Sequence, residues 1–450
     1  MKIVIVGAGK VGEILCKDLS AEGHDIKLIE ENSKILEKII SSNDILGIVG
    51  NGTKFDILSE AGTENADLFI SVTEKDEINI ISCVIAKKMG AQYTIARVRN
   101  TEYSSQMDLM SSALGIDKII NPELEAAKYI HKNIYFKNSL NIETFFNGKL
   151  KLVEFIIEEG SYLEGMSLFE FKQNYFKNLL VCIIKRNDEI IIPQGDFILN
   201  ASDMIYVSGE QKDLFSLYRS LGKSNRSIKS VFIIGAGRIA HYLTSYLMED
   251  NIDIKVVDIS EEVARIYNDS FPNVTTINGD GSDEDLLSEE GFKDYDACIS
   301  LTGIDEMNIL ISMFAKKIGI SKIITKINKP YFLDVLGKNQ LTTVVTPKKL
   351  IADKIVKIVR TKNTNKNNIL NLYRLENNRV EAIEFLIDND CKILGTLIKD
   401  LPIKKNVILS YIIRNNEIII PSGRDFIKVE DRVIVITTET HLYDINEILL

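Results

Sequence analysis

A glycine turn occurs twice in this 450-residue chain, and Gly235 of the second copy stands 228 residues after Gly7 of the first. Lys2 to Val6 reads as a short strand of the kind a parallel sheet buries on both faces, and Gly7-Ala8-Gly9-Lys10-Val11-Gly12 follows at once. Val11, Ile14, Leu15 and Leu19 then recur at helical spacing. A second strand, Asp25 to Ile29, ends on Glu30, 18 residues after Gly12. That is the dinucleotide fingerprint in its required setting. Gly7 makes the tight turn, Gly9 lets the backbone approach a pyrophosphate on the helix N-terminus, Gly12 lets helix and strand pack closely, and Glu30 faces a ribose.

The second copy is nearly as complete. Gly235-Ala236-Gly237-Arg238-Ile239-Ala240 follows the apolar run Ser230 to Ile234, and Asp258 stands 228 residues after Glu30. Gly50-Asn51-Gly52-Thr53 corresponds to Gly279-Asp280-Gly281-Ser282, and Ser71 to Asn79 corresponds to Ser300 to Asn308, both at 229. A period this long marks a tandem pair of domains, not a solenoid.

Each half divides again. Strand-like runs at 2–6, 25–29, 45–49, 67–72, 93–98 and 117–120 alternate with helical stretches, which predicts an α/β, Rossmann-like, doubly wound parallel sheet. Asn121-Pro122-Glu123 reads as a helix start running to about Asn138, and Thr346-Pro347-Lys348 repeats it. A small α+β module then follows: strands Lys151–Ile157, Leu179–Lys185, Glu189–Pro193 and Asp203–Val207, a helix Ser167–Tyr175, and a closing helix Gln211–Leu221. The second half is expected to repeat this order. The expected domains are 1–138 and 228–360 (Rossmann-like) and 139–222 and 368–450 (α+β), with a polar linker at Lys223–Ser227 and a mobile loop at Thr361–Asn368.

Glu30 and Asp258 stand where an adenosine ribose would lie. A carboxylate there accepts from two hydroxyls and repels a 2′-phosphate, which favours NAD(H), or an adenine nucleotide such as ATP or ADP, over NADP. The alternative is that each acid caps the next turn. Asn51, Gly52 and Thr53, with Asp280 in the second half, would bring a small polar side chain near an adenine, or form a plain turn. Thr73 with Glu74, and Thr302 with Gly303, end the fourth strands at the ligand edge of the sheet. Asp76 and Asp305 read mainly as helix caps. Lys10 and Arg238 sit inside the glycine turns, facing the phosphates, a phosphate held by a neighbouring subunit, or solvent. Arg97 and Lys326 end the fifth strands within reach of the same phosphates, and Arg99 competes with Arg97.

Composition sets limits on function. Net charge is −10, against a protein made to coat nucleic acid or to dock directly on anionic lipid. No apolar run approaches the roughly 18 residues of a membrane span, and no signal segment is legible. The five cysteines are scattered without a CxxC and mostly lie in apolar runs, which reads as buried reduced thiols in a cytosolic chain. No metal-ligand or nucleophile pattern is visible. His24, His131, His241 and His441 do not recur at the duplication offset, so no proton-transfer residue for a dehydrogenase stands out. Binding without turnover is favoured over the rival, a soluble NAD-dependent oxidoreductase.

These residues resemble the TrkA family of nucleotide-binding regulatory subunits of Trk-type potassium uptake, built from duplicated RCK (regulator of potassium conductance) domains. Ile3 to Gly12, Gly50 to Thr53, Ser71 to Asn79, Ile95 to Arg99 and Gly115 to Glu123 carry the resemblance, which spans essentially the whole chain. It implies a non-enzymatic cytoplasmic protein, peripheral on the inner face of the cell membrane. There it would form a homo-oligomeric ring beneath a TrkH/TrkG-like potassium-translocating subunit, with nucleotide state setting the opening of the pore. The implied contacts are Gly7 to Val11, Glu30, Thr73, Glu74 and Arg97. The second set is Gly235 to Ile239, Asp258, Thr302, Gly303 and Lys326. Ala240 replaces the third glycine, which the fingerprint tolerates, and Lys326 stands where the first half has Arg97; lysine cannot clamp a phosphate bidentately, which leaves the second set open to a different nucleotide or to none. A free-standing nucleotide sensor acting on other proteins fits the same residues.

Overall fold

The computed structural model describes residues 1–100, 107–135, 142–221, 228–329, 343–363, 368–376 and 378–450. The linker expected at 223–227, and residues 364–367 of the expected loop, lie outside them. The first half opens with β1 (Lys2–Val6), α1 (Lys10–Ala21), β2 (Asp25–Glu30), α2 (Ser33–Ile40), β3 (Leu46–Val49) and α3 (Phe55–Glu60). It continues through β4 (Leu68–Ser71), α4 (Asp76–Met89), β5 (Tyr93–Arg97), α5 (Met107–Leu114), β6 (Lys118–Ile120) and α6 (Pro122–Ile134). The strands pair in parallel in the order β3-β2-β1-β4-β5-β6. The order reverses between β1 and β4, so the carboxyl edge opens a crevice there.

A five-stranded antiparallel sheet follows. It holds β7 (Ile142–Phe145), β8 (Leu150–Ile156), β9 (Leu180–Arg186), β10 (Glu189–Ile191) and β11 (Met204–Glu210), ordered β10-β9-β11-β8-β7, and α7 (Gln211–Ser220) closes it. The sequence reading missed β7, a four-residue strand. The expected helix Ser167–Tyr175 is a single α-turn fixed by a Ser167/Glu170 capping box, continued as a π-turn over Phe171–Tyr175.

The second parallel sheet repeats the first. Its elements are β12 (Ser230–Ile234), α8 (Arg238–Glu249), β13 (Asp253–Asp258), α9 (Glu261–Ser270), β14 (Thr275–Asn278) and α10 (Glu284–Glu289), then β15 (Ala297–Ser300), α11 (Asp305–Lys317), β16 (Lys322–Lys326), β17 (Thr343–Val345) and α12 (Pro347–Asn363). The strand order is β14-β13-β12-β15-β16-β17. The last module holds β18 (Ile369–Leu375), β19 (Val380–Leu386), β20 (Val407–Arg414), β21 (Glu417–Ile419) and β22 (Arg432–Thr437), ordered β18-β19-β22-β20-β21.

This last module departs from the expected repeat, because no closing helix follows β22. His441 adopts a left-handed backbone, and Asp444 caps a short 3-10 turn, Ile445–Ile448. The chain end is then held by bonds from Leu450 N to Pro402 O and from Lys404 N to Ile448 O. Those extended-chain bonds compete with a helix and win.

The chain gathers into two compact units, one of residues Met1–His131 with Lys229–Val359 and one of Lys132–Ile228 with Arg360–Leu450. Within the first unit the two halves exchange helices. Ile351, Ala352, Ile355, Val356 and Val359 of α12 form one apolar stripe, and it is buried among Ile3, Leu15, Leu19 and Leu28 of the other half. In return, Asn121 Nδ2 at the start of α6 donates to Tyr242 Oη of α8 (3.0 Å), and His131 bonds Asp250 (2.6 Å). Lys354 Nζ meets Glu125 Oε1 at 2.7 Å, tying α12 to α6.

In the second unit, Arg360 is fully buried against Glu381. All five cysteines are buried and free, and burial pushes the Cys16 thiol up to about 12. Among the described residues, no helix is long and apolar enough to cross a membrane.

Truncating the α12 stripe with Ile355→Ala should lower stability by about 2–5 kcal/mol, the usual cost of a buried Ile-to-Ala change. Urea unfolding followed by circular dichroism would show this as a lower midpoint. An unmoved midpoint would mean that α12 is not held by this packing.

Candidate functional site

The first glycine turn works as its residue types require. Gly7 has φ +102°, and a Cβ there would meet Thr73 N at 2.9 Å; Gly235 has the same φ against Leu301 and Thr302. A Cβ at Gly12 would lie 2.0 Å from the Gly7 carbonyl oxygen. Ala240, in the matching place, is buried. Gly9 and Gly237 are the N-caps of α1 and α8 and offer no side-chain acceptor to the first-turn amides, which leaves these N–H groups for an anion.

The strand-end acids bridge two turns. Glu30 Oε2 accepts from Ala8 N (2.8 Å) and Oε1 from Asn32 N (2.9 Å). Asp258 repeats this with Ala236 N and Ser260 N at the same distances. Each acid therefore does cap the turn after its strand, the bland alternative, while also holding the glycine loop. Each carboxylate oxygen has a second lone pair for a ligand hydroxyl.

Asn51 Oδ1 accepts from Thr53 N and Oγ1, and Asp280 does the same for Ser282, bonds that hold the Asp280 carboxyl below its usual range. These are turn-forming contacts.

Asp76 and Asp305 correct the sequence reading. Neither caps a helix: the N-caps are Lys75 and Ile304, and the two acids are the first helical residues. Asp76 Oδ2 accepts from Arg99 N and Asn100 N, and Asp305 accepts from Asn328 N and Lys329 N. The reason is positional: each acid stands one residue inside its helix, past the N-cap position from which a side chain reaches the first-turn amides, so its carboxylate accepts from backbone donors just past β5 and β16.

Asn79 and Asn308, quoted above only as repeat markers, organise the same edge. Asn79 Oδ1 accepts from Ser71 Oγ, Thr73 N and Thr73 Oγ1, and its Nδ2 donates to Thr73 O and Arg97 O. Asn308 makes the matching bonds to Thr302 and Lys326. Their recurrence at an offset of 229 was the signal that could have found them.

The carboxyl edges of the two parallel sheets wall one cleft of about 1160 Å³. From the first half it takes Gly7, Gly9, Lys10, Val11, Glu30, Asn51 and Gly52, together with Thr73, Glu74, Arg97 and Arg99. From the second half come Gly237, Arg238, Ile239, Gly303, Lys326 and Lys348. Ala8, Gly12, Thr53, Gly235, Ala236, Asp258, Asp280 and Thr302, also expected at the sites, do not line it. One shared cleft was not foreseen, since periodicity does not say which faces of two domains meet.

The wall carries eight cationic side chains against six carboxylates, a small positive excess in an acidic chain. Lys10 Nζ pairs with Glu13 at 3.0 Å, whereas Arg238 is exposed. Arg97 donates to Val72 O and Thr73 O, and burial, reinforced by the charge of Arg99, lowers its pKa. Lys326 Nζ donates to Leu301 O (3.2 Å). Burial lowers its pKa, Asp305 and Glu123 oppose that, and Arg99 and Lys348 add to it. Arg99 Nε meets Glu123 Oε1 at 2.7 Å. Groups from both halves thus share one electrostatic environment.

Fold and cleft define a tandem Rossmann-type chain with its ligand edges turned inward. The TrkA-N domain family model matches residues 3–122 and 231–347, and the TrkA-C domain model matches 152–222 and 382–450. The chain belongs to the TrkA family. A protein of Archaeoglobus fulgidus named Trk system potassium uptake protein TrkA homolog is 32% identical over 448 residues, covering 100% of both chains. A Trk system potassium uptake protein TrkA of Halomonas elongata is 29% identical, covering 97% of this chain and 95% of its own. Among solved structures, a GsuK channel bound to NAD superposes with a TM-score of 0.62 at 17% identity, covering 97% of this chain and 76% of that one, a likeness of fold.

Asn79→Ala and Asn308→Ala should each destabilise the first unit by about 2 kcal/mol or more, since each leaves several buried groups unpaired. Matched drops in thermal unfolding midpoint are expected. A drop in only one variant would break the equivalence of the two edges.

Proposed function

We propose that this chain is a nucleotide-binding regulatory subunit of a Trk-type potassium uptake system, with NAD(H), ATP or ADP as its ligand. The observation that carries the reading is the shared cleft between two glycine turns, with Lys10, Arg97, Arg238 and Lys326 on its wall, in a chain of the TrkA family. Glu30 takes the adenosine ribose, the amides of Gly9 to Val11 take phosphate, and Arg97 and Lys326 supply charge from opposite sides. Asp258, with Gly235 to Ile239, forms the second, weaker site. The domain division is 1–138, 139–222, 228–360 and 368–450.

Because both halves wall the cleft, a ligand touching both biases their arrangement by its differential affinity and no more. The protein works in the cytoplasm, as a ring of identical chains held at the inner face of the membrane by a TrkH/TrkG-like subunit.

Calorimetric titration with NADH, NADPH and ATP, repeated for Glu30→Ala and Asp258→Ala, tests the reading. NADH or ATP should bind tightly and NADPH at least about 10-fold more weakly, with Glu30→Ala losing the stronger site. Binding of none of the three would reduce the cleft to scaffold. Steady consumption of NADH with a small carbonyl substrate would favour the oxidoreductase.

A further inference from the structure

The two antiparallel modules share a backbone but present chemically opposite faces. In the first, Gly165 N donates to Leu199 O, Leu168 N to Phe197 O and Phe169 N to Gly195 O. In the last, Gly395 N, Ile398 N and Lys399 N make the same three bonds, to the carbonyls of Ile427, Asp425 and Gly423. These bonds set the equivalences residue by residue. Tyr162 corresponds to Lys392, Phe169 to Lys399, Asp196 to Arg424 and Asn200 to Lys428, and all eight are exposed. Over these four positions the formal charge is −1 in the first module and +4 in the last.

The first face is also apolar. Phe169 is 61% exposed, Tyr175 59% and Ile198 54%, and the Tyr162 and Tyr175 rings lie 6.0 Å apart. Exposed Glu164 and Glu170 stand beside them. A cluster of solvated aromatics of this kind marks a contact surface. On the last face the apolar centre is Phe426, with Lys428 Nζ 5.3 Å from its ring. Lys172 on the first module and Asp400 on the last run against the trend, so the contrast is one of balance.

The two faces cannot meet within one chain. Tyr206 and Cys182 of the first sheet pack against Tyr411 and Ile434 of the last, whereas the neighbouring residues Val207, Val181, Val433 and Val435 point to the other sides. Alternation along a strand therefore puts the two outer layers, which carry these faces, on opposite sides of the sandwich. Nor does either face suit its own copy, since each would then oppose like charges.

We propose that the aromatic, acidic face of the first module binds the basic face of the last module in a second copy of this chain. Arg424 and Lys399 offset the charges of Asp196 and Glu170, and the lysine stems and ammonium groups cover the exposed aromatic rings. The contact is heterologous, so its repetition closes a ring or runs on as a filament. It stands apart from the cleft and does not depend on what the cleft binds.

The test is cross-linking of full-length Asp196→Cys and Arg424→Cys chains with a bis-maleimide, each alone and in equimolar mixture, read on a denaturing gel. The native cysteines are buried, which keeps the background low. Covalent dimers should be at least about fivefold more abundant in the mixture than in either variant alone. Adding Lys392→Glu and Lys399→Glu to the Arg424→Cys chain should cut that yield by about fivefold or more, because like charges then face each other. Equal yields in the mixture and the separate variants overturn the proposal, and leave the basic face to an acidic partner of another kind. A yield indifferent to the two charge reversals overturns it as well, since the contact would then not rest on charge. Either failure leaves the nucleotide-binding reading standing.

Discussion

The cleft exists because α12 buries its apolar stripe on the sheet of the other half. Ile351, Ile355 and Val359 lie among Ile3, Leu15 and Leu28, so the second half cannot separate from the first without exposing both surfaces to water. The return contacts of α6, from Asn121 to Tyr242 and from Glu125 to Lys354, are polar and fix geometry more than they add stability. With both helices exchanged, the carboxyl edges of the two sheets face a common space. A ligand at either edge then meets groups from the other half, which is what a binding event needs if it is to alter an arrangement of domains.

The edges themselves are held by short side chains rather than long ones. Glu30 and Asp258 link the glycine turn to the turn after β2 or β13, Asn79 and Asn308 knit the fourth strand to the fifth, and Asp76 and Asp305 pin the loop beyond it. Most of these bonds run to backbone amides and carbonyls. The loops are therefore set before any ligand arrives, and little ordering entropy is left to oppose binding.

The parallel sheets were legible because their strands are continuous apolar runs and their turns carry glycines that no other residue replaces easily. The duplication gave a second, independent reading of each element. β7 was missed because four residues are too few for periodicity to register. The closing helix expected after β22 failed for a different reason: Leu442, Ile445 and Ile448 keep helical spacing, yet bonds to Pro402 and Lys404 claim that backbone. At the site, the glycines and strand-end acids were found by motif. Asp76 and Asp305 were misassigned because a helix-start acid looks the same whether it caps its own helix or serves a neighbouring loop. Nor can any pattern along one chain announce that α12 leaves its own sheet.

The two crossing helices begin alike, with a proline in the first turn, but the next residue is Glu123 in one and Lys348 in the other, and both line the cleft. Had the cleft been formed by two identical chains, symmetry would have placed the same residue, and so the same charge, at both positions. Joining the halves into one polypeptide removes that constraint. Each half can take the charge the other lacks, and the cleft acquires a polarity along its length that no symmetric pair could possess.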